Sequence, residues 1–302
     1  MQAEITRVDV GNCGVGESPV WSASEGAWYW TDIPRRRVWR LDAASGSTRS
    51  WSTPEMVGCL SPRASGGLVA GMETGLFALT LGDDGNATAR RLAAPAAGEL
   101  TDGMRFNDGR CDRQGRFWAG TMFMDMAAAR AVGRLYRFDG QGLSKPLVSE
   151  LLTQNGTAWS PDGRTMYLSD SHPARRLIWA FDYDIDSGTP SNRRVFVDMN
   201  RHPGRPDGAS VDADGCYWTA ANDAGLLLRF TPAGILDRQI ALPMAKPSMC
   251  SFGGPNLDTM LVTTIDPGNG AGNGAGADKG WAGSVVLVRP GVRGVADAPF
   301  AF

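Results

Sequence analysis

Short apolar runs recur along the chain, each bounded by Gly, Asp or Pro. One kind is dense in aromatic and β-branched residues: AWYWTD at Trp28, GLVAG at Leu68, RFWAG at Phe117, TMYLSD at Met166, CYWTA at Tyr217 and TMLVTT at Met260. The intervals between them are 40, 49, 49, 51 and 43 residues. Behind each follows a second run with clearer alternation: RVWRLD near Trp39, GLFAL near Phe77, GRLYRFD near Tyr136, RRLIWAFDYD near Ile178, GLLLRFTPAG near Leu228 and GSVVLVRPG near Leu287. Such runs read as β-strands, and helical periodicity is almost absent. Asp162-Gly163 and Asp214-Gly215 precede strands, where tight hairpin turns belong.

Six similar β units of about fifty residues predict an all-β, six-bladed β-propeller with a central channel, spanning residues 1–302 as a single domain. Each small sheet covers its faces by stacking on its neighbours. A ring must also close, so the N-terminal strand at residues 5–10 is expected to pair with the last blade at 285–288. Two β-sandwiches are the alternative, which the even spacing disfavours. Two segments break the period. Residues 122–132 (MFMDMAAARAV) predict a loop or short helix over one face, and the Gly-rich residues 266–283 predict a mobile loop.

The polar positions share a phase with the repeat. Glu17 lies 11 residues before Trp28, Asn107 10 before Phe117, Asn155 11 before Met166 and Asp207 10 before Tyr217. Equivalent positions of different blades are related by rotation about one axis, so these four side chains should converge. Their contexts, GESP, RFNDG, QNGTAW and RPDGAS, suggest loops turned toward a ligand. One such residue alone would be read as a turn cap. Four in one phase point instead to a shared partner. Two carboxylates and two carboxamides meeting in a channel call for a hard divalent cation.

Composition narrows the function. With 30 Lys and Arg against 32 Asp and Glu, the net charge of −2 offers no basic field for nucleic acid or an anionic membrane. No stretch approaches the roughly 18 apolar residues of a membrane span. The start, MQAEITRVDV, lacks a basic segment followed by an apolar one, so a cytoplasmic location is expected. The five cysteines, Cys13, Cys59, Cys111, Cys216 and Cys250, form no CxxC pair and read as reduced thiols. Only His172 and His202 could serve a histidine-dependent site, and both read first as loop residues at the rim. A serine nucleophile elbow finds no GxSxG motif on a credible strand-to-helix turn.

The motifs GESPVW, RFNDGRCDRQGRFWAGTM, NGTAWSPDGRTMYLSDS and PDGASVDADGCYWTA, with FDYD…SNRR and CSFGG, resemble the SMP-30/gluconolactonase/regucalcin-like family over roughly residues 14–290. The resemblance implies a six-bladed propeller with one divalent metal in its channel, acting on sugar lactones. It places metal ligands at Glu17, Asn155 and Asp207 and substrate contacts at Arg105 and Asn107. A further substrate contact falls on Asp125, where the family carries Glu. The expected reaction is hydrolysis of a pentono- or hexonolactone to the aldonic acid, with Asp207 as candidate general base. Whether Asp207 or the cation activates the water stays open. So do the sugar, the metal (Ca, Zn, Mn, Mg or Fe(II)) and the oligomeric state. Two other readings remain: a calcium-handling propeller without turnover, and a hydrolase of other esters.

Overall fold

The computed structural model describes residues 3–268 and 280–302. Six antiparallel sheets follow one another along the chain, five of four strands and one of five. Within each blade the chain meanders outward from the axis. The first blade shows why. Its inner strand Gly16–Ser22 and second strand Ala27–Asp32 are buried along their whole length. Its third strand, Arg37–Asp42, is half-buried, and the outer strand Thr48–Ser52 keeps mainly Trp51 inside. Burial on both faces near the axis demands the continuous aromatic runs, whereas the outer strands can alternate.

The β-propeller reading therefore holds. Trp28, Trp30, Trp118, Trp159 and Trp218 are almost fully buried. They fall into three clusters, Trp28 with Trp30, Trp118 with Trp159, and Trp218 apart, as stacked sheets require. Each large buried apolar side chain contributes roughly 1.5–3 kcal/mol. Gly163 and Gly215 take positive φ (72° and 82°) in the expected hairpins. Glu4–Arg7 pairs antiparallel with Val286–Arg289, Ile5 opposite Val288, so the two chain ends share the last blade and close the ring.

The segment after Arg289 lies outside the repeat. It crosses the end of the channel where the inner hairpins turn. Gly294 N–H donates to Leu257, Ala213 N–H to Arg293, and Ala301 N–H to Gly115. Phe300 N–H donates to Pro62 and its carbonyl accepts from Ala64. From this segment Asp297 reaches Arg110, whose Nη1 lies 2.7 and 2.6 Å from its two carboxylate oxygens.

The atypical residues 122–132 contain one turn of 3-10 helix, Met126–Ala128. Of the expected Gly-rich loop, residues 269–279 lie outside the described residues. The five cysteines are buried and free. Burial raises the thiols of Cys13, Cys59, Cys111 and Cys250, which removes them as nucleophiles. No helix among the described residues is long and apolar enough to cross a membrane.

Candidate functional site

Glu17, Asn107, Asn155 and Asp207 do not sit in loops, as their Gly- and Pro-rich contexts suggested. They lie within the inner strands Gly16–Ser22, Met104–Cys111, Gln154–Trp159 and Arg205–Val211. The reason is a bulge. Pairing with the second strand slips between Glu17 and Val20, Phe106 and Gly109, Asn155 and Ala158, and Pro206 and Ala209. A bulge bends the strand and re-aims a side chain without ending the ladder. Ser18 and Gly156, each just after a site residue, have φ of 51° and 61°. At Gly156 a Cβ would also collide with Ser169 and Tyr217, so the turn of the strand there depends on glycine.

All four side chains are buried, at 8%, 8%, 3% and 6% exposure in chain order. Asn107 bridges two blades. Its Nδ2 donates to the Gln154 carbonyl at 2.7 Å and to Asn155 Oδ1 at 3.3 Å. Its Oδ1 accepts from Arg105 Nη1 at 2.7 Å. Asn155 in turn donates from Nδ2 to Ser171 Oγ at 2.8 Å, which leaves its Oδ1 facing Asn107. Asp207 accepts at Oδ2 from Asn222 Nδ2 at 2.7 Å. Glu17 accepts one bond, from the adjacent Ser18 N–H.

Burial outweighs the compensating charges. Burial raises the Glu17 carboxyl well above the usual carboxylate range, and the charges of Asp207 and Asp108 raise it further. Burial pushes Asp207 up to about 7, against the pull of Arg205 and the Asn222 hydrogen bond. The two carboxyls are electrostatically linked, and for both the direction is upward. Neither forms a salt bridge among the described residues. Burial lowers Arg105 while Glu17 and Asp207 hold its proton, so this guanidinium shares their field.

Asp108 and Asn222 escaped the repeat-phase reading. Asp108 is 3% exposed; Oδ2 accepts from Thr157 N–H at 2.9 Å, and Oδ1 has no partner among the described residues. It stands next to Asn107 in RFNDG, where simple alternation would send it to the opposite face. Asn222 ends the second strand Tyr217–Asn222, beside the inner strand that carries Asp207.

Asp125 stands apart. It is exposed, and its carboxylate caps the Met126–Ala128 turn by accepting from Ala127 N–H at 3.1 Å. His202 caps the turn Met199–Arg201, with its ring edge on Phe230. His172 bonds to the Met126 carbonyl.

These donors suit a hard cation. Among the described residues no group of three or more His, Cys, Asp or Glu stands at metal-holding spacing. A cation here would therefore need amide oxygen as well as carboxylate, a mixed oxygen set that such ions accept. Asp108 Oδ1 has no hydrogen-bond partner among the described residues and Glu17 accepts only the Ser18 N–H, so both keep oxygen lone pairs free.

Comparison with known proteins bears on the family. The model of the SMP-30/Gluconolactonase/LRE-like region matches residues 15–266. A 6-deoxy-6-sulfogluconolactonase of Pseudomonas putida is 36% identical over 95% of both chains. A regucalcin of Xenopus laevis is 33% identical, again over 95% of both. The solved structure of a luciferin-regenerating enzyme is 25% identical, with a TM-score of 0.89, covering 99% of this chain and all of its own (100%).

Proposed function

The chain belongs to the SMP-30/Gluconolactonase/LRE-like family, and from that premise we propose that it is a sugar lactonase. The reaction is hydrolysis of a pentono- or hexonolactone to the aldonic acid, dependent on one divalent cation. The observation that carries this reading is the pair of buried carboxylates, Glu17 and Asp207, presented beside amide side chains from the same bulged position of separate blades.

Glu17, Asn155 and Asp207 are the residues that would hold the cation. When bound, it would polarise the lactone carbonyl and offset charge developing on its oxygen. Asp207 serves as general base: Asn222 occupies Oδ2, which leaves Oδ1 to take a proton from water. The water oxygen bonds to the carbonyl carbon, the ring C–O bond breaks, and the ring oxygen leaves as a hydroxyl by taking the proton that Asp207 accepted from water. Arg105 binds oxygen atoms of the substrate. Its Nη1 is committed to the Phe106 carbonyl and Asn107, while Nε and Nη2 carry no hydrogen bond among the described residues. Asn107 orients both Arg105 and Asn155, and so couples substrate binding to the cation set.

The test is acid release from aldono-1,4- and 1,5-lactones after chelation, with each of Ca, Zn, Mn, Mg and Fe(II) restored singly. Turnover that returns with metal supports the reading. Metal binding with no turnover of any lactone or ester overturns it in favour of a calcium-handling propeller. Turnover of simple esters but not sugar lactones overturns the substrate class.

A further inference from the structure

We infer that His172 is a positioning residue, which pins the 124–132 loop across two blades and thereby shapes the substrate mouth. The consequence for substrate rests on the lactonase reading; the pin itself does not.

The loop leaves the second strand of the third blade beside the site. Met122, at its base, is the register partner of Arg105, and Phe123 that of Met104. It then reaches toward the fourth blade. Met122 bridges to Thr153, and Thr153 Oγ1 lies 3.1 Å from Met126 Sδ. Thr153 is two residues before Asn155. The loop therefore spans the edge between Arg105 and Asn155, at the end of the channel where the candidate site lies.

His172 fastens that span from the fourth blade. Its Nε2 lies 2.9 Å from the Met126 carbonyl, and Ala174 N–H donates to its Nδ1 at 3.1 Å. A nitrogen that accepts an N–H bears no proton, so the neutral ring carries its hydrogen on Nε2 and donates to Met126. Both ring nitrogens are thus used, and the ring is 7% exposed. The turn that holds it is anchored below. Asp170 accepts from the N–H groups of Leu152, Thr153 and His172. The adjacent Ser171 Oγ accepts from Asn155. One short turn therefore orders an amide of the candidate cation set and the loop at the mouth together. The loop buries none of its 3-10 turn; Met124 N–H ties its start to the Gly103 carbonyl and Arg130 stacks on Phe123, both within the third blade, so the His172 bond and the Thr153 contact are what tie it to the fourth.

Two measurements test this on the intact protein, in wild type and in His172→Ala, His172→Gln and His172→Asn. The first is tryptic cleavage after Arg130, which is exposed in the loop. Loss of the pin should speed cleavage about five- to tenfold in His172→Ala. Gln places an amide N–H near the position of Nε2 and should restore protection, whereas Asn places one near Nδ1 and should not. The second is steady-state kinetics on pentono- and hexonolactones. KM should rise about five- to tenfold in His172→Ala with kcat changed less than about twofold, and Gln should recover it. Unchanged cleavage at Arg130, or equal effects of Gln and Asn, would overturn the pin. Faster cleavage with unchanged KM would overturn its role in shaping the mouth. A wild type inert on every lactone would sink the lactonase reading, and the cleavage pattern would still decide the pin.

Discussion

The two ends of the propeller axis treat buried charge in opposite ways, and a single inner strand serves both. Met104–Cys111 carries Arg105, Asn107 and Asp108 toward one end and Arg110 toward the other. At the far end, Arg110 holds Asp297 through both carboxylate oxygens and donates from Nη2 to the Ala209 carbonyl at 2.9 Å. Ser251 Oγ gives Asp297 another bond. The pairing outweighs desolvation, and the Arg110 guanidinium is held more firmly protonated than usual. At the site end, Glu17, Asp108 and Asp207 are also buried, yet none of the three forms a salt bridge among the described residues. A fold that pairs a buried charge at one end and forms no salt bridge to three buried acids at the other fits the cation proposed for that second end.

The comparison breaks most visibly at Asp207. Asp207→Ala should lower kcat for lactone hydrolysis by about a thousandfold or more, as expected for loss of a general base that is also a cation donor. Circular dichroism should stay that of the folded propeller, because the side chain accepts one hydrogen bond, from Asn222. Activity within about tenfold of wild type would remove Asp207 from the chemistry.

The far end should fail the other way. Asp297→Ala leaves Arg110 buried without its partner, at a cost of about 3–5 kcal/mol in urea unfolding. The activity of the molecules that remain folded should persist, since the tail touches the inner hairpins and not the site. Replacing both partners, Arg110→Met with Asp297→Leu, should recover most of the loss. A loss of activity matching Asp207→Ala would mean that the two ends are coupled.

How much of this was legible from the residues follows from the same contrast. The blades announce themselves, because the second strands are buried on both faces and so read as dense aromatic and aliphatic runs. The phase of Glu17, Asn107, Asn155 and Asp207 against those runs is equally open to reading, since it reflects rotation about the axis. The bulges are not. GESP and RPDG look like turns because Pro and Gly ordinarily end strands. Here a slipped register absorbs them inside one. The same slip hides Asp108. The C-terminal segment has neither period nor motif; main-chain bonds to five hairpin and strand-end positions hold it, and these leave little trace in side-chain pattern. Asp125, transferred by motif position alone, proves to be an exposed helix cap in this chain.

Asn107 tests whether the site end is a connected network. Asn107→Ala removes the bonds to Gln154, Asn155 and Arg105 together. A loss of about ten- to fiftyfold in kcat/KM is expected, because Arg105 and Asn155 lose a shared orienting partner. Asn107→Asp keeps the acceptor for Arg105 but adds a fourth buried negative charge, so it should tighten the cation and still lose substrate affinity. Equal kinetics for wild type and Asn107→Ala would show that Arg105 and Asn155 are held independently.

The smallest effect has an unusual sign. Glu17→Gln should lower activity, since a neutral amide is a weaker donor to a hard cation. Yet in chelated protein it should raise stability, by about 1–2 kcal/mol in urea unfolding at neutral pH, because it removes a carboxyl whose ionised form burial and the neighbouring acids penalise on folding. The Ser18 N–H still finds an acceptor in the amide oxygen, so no buried donor is orphaned. Saturating metal should reverse the order, because wild type gains more from binding than the variant does. The far end supplies the control: neutralising its acid, Asp297→Asn, should destabilise with or without metal, since its charge is already paired. If Glu17→Gln also destabilised the chelated protein, the site end would be as self-sufficient as the far end, and the case for a resident cation there would lose its physical basis.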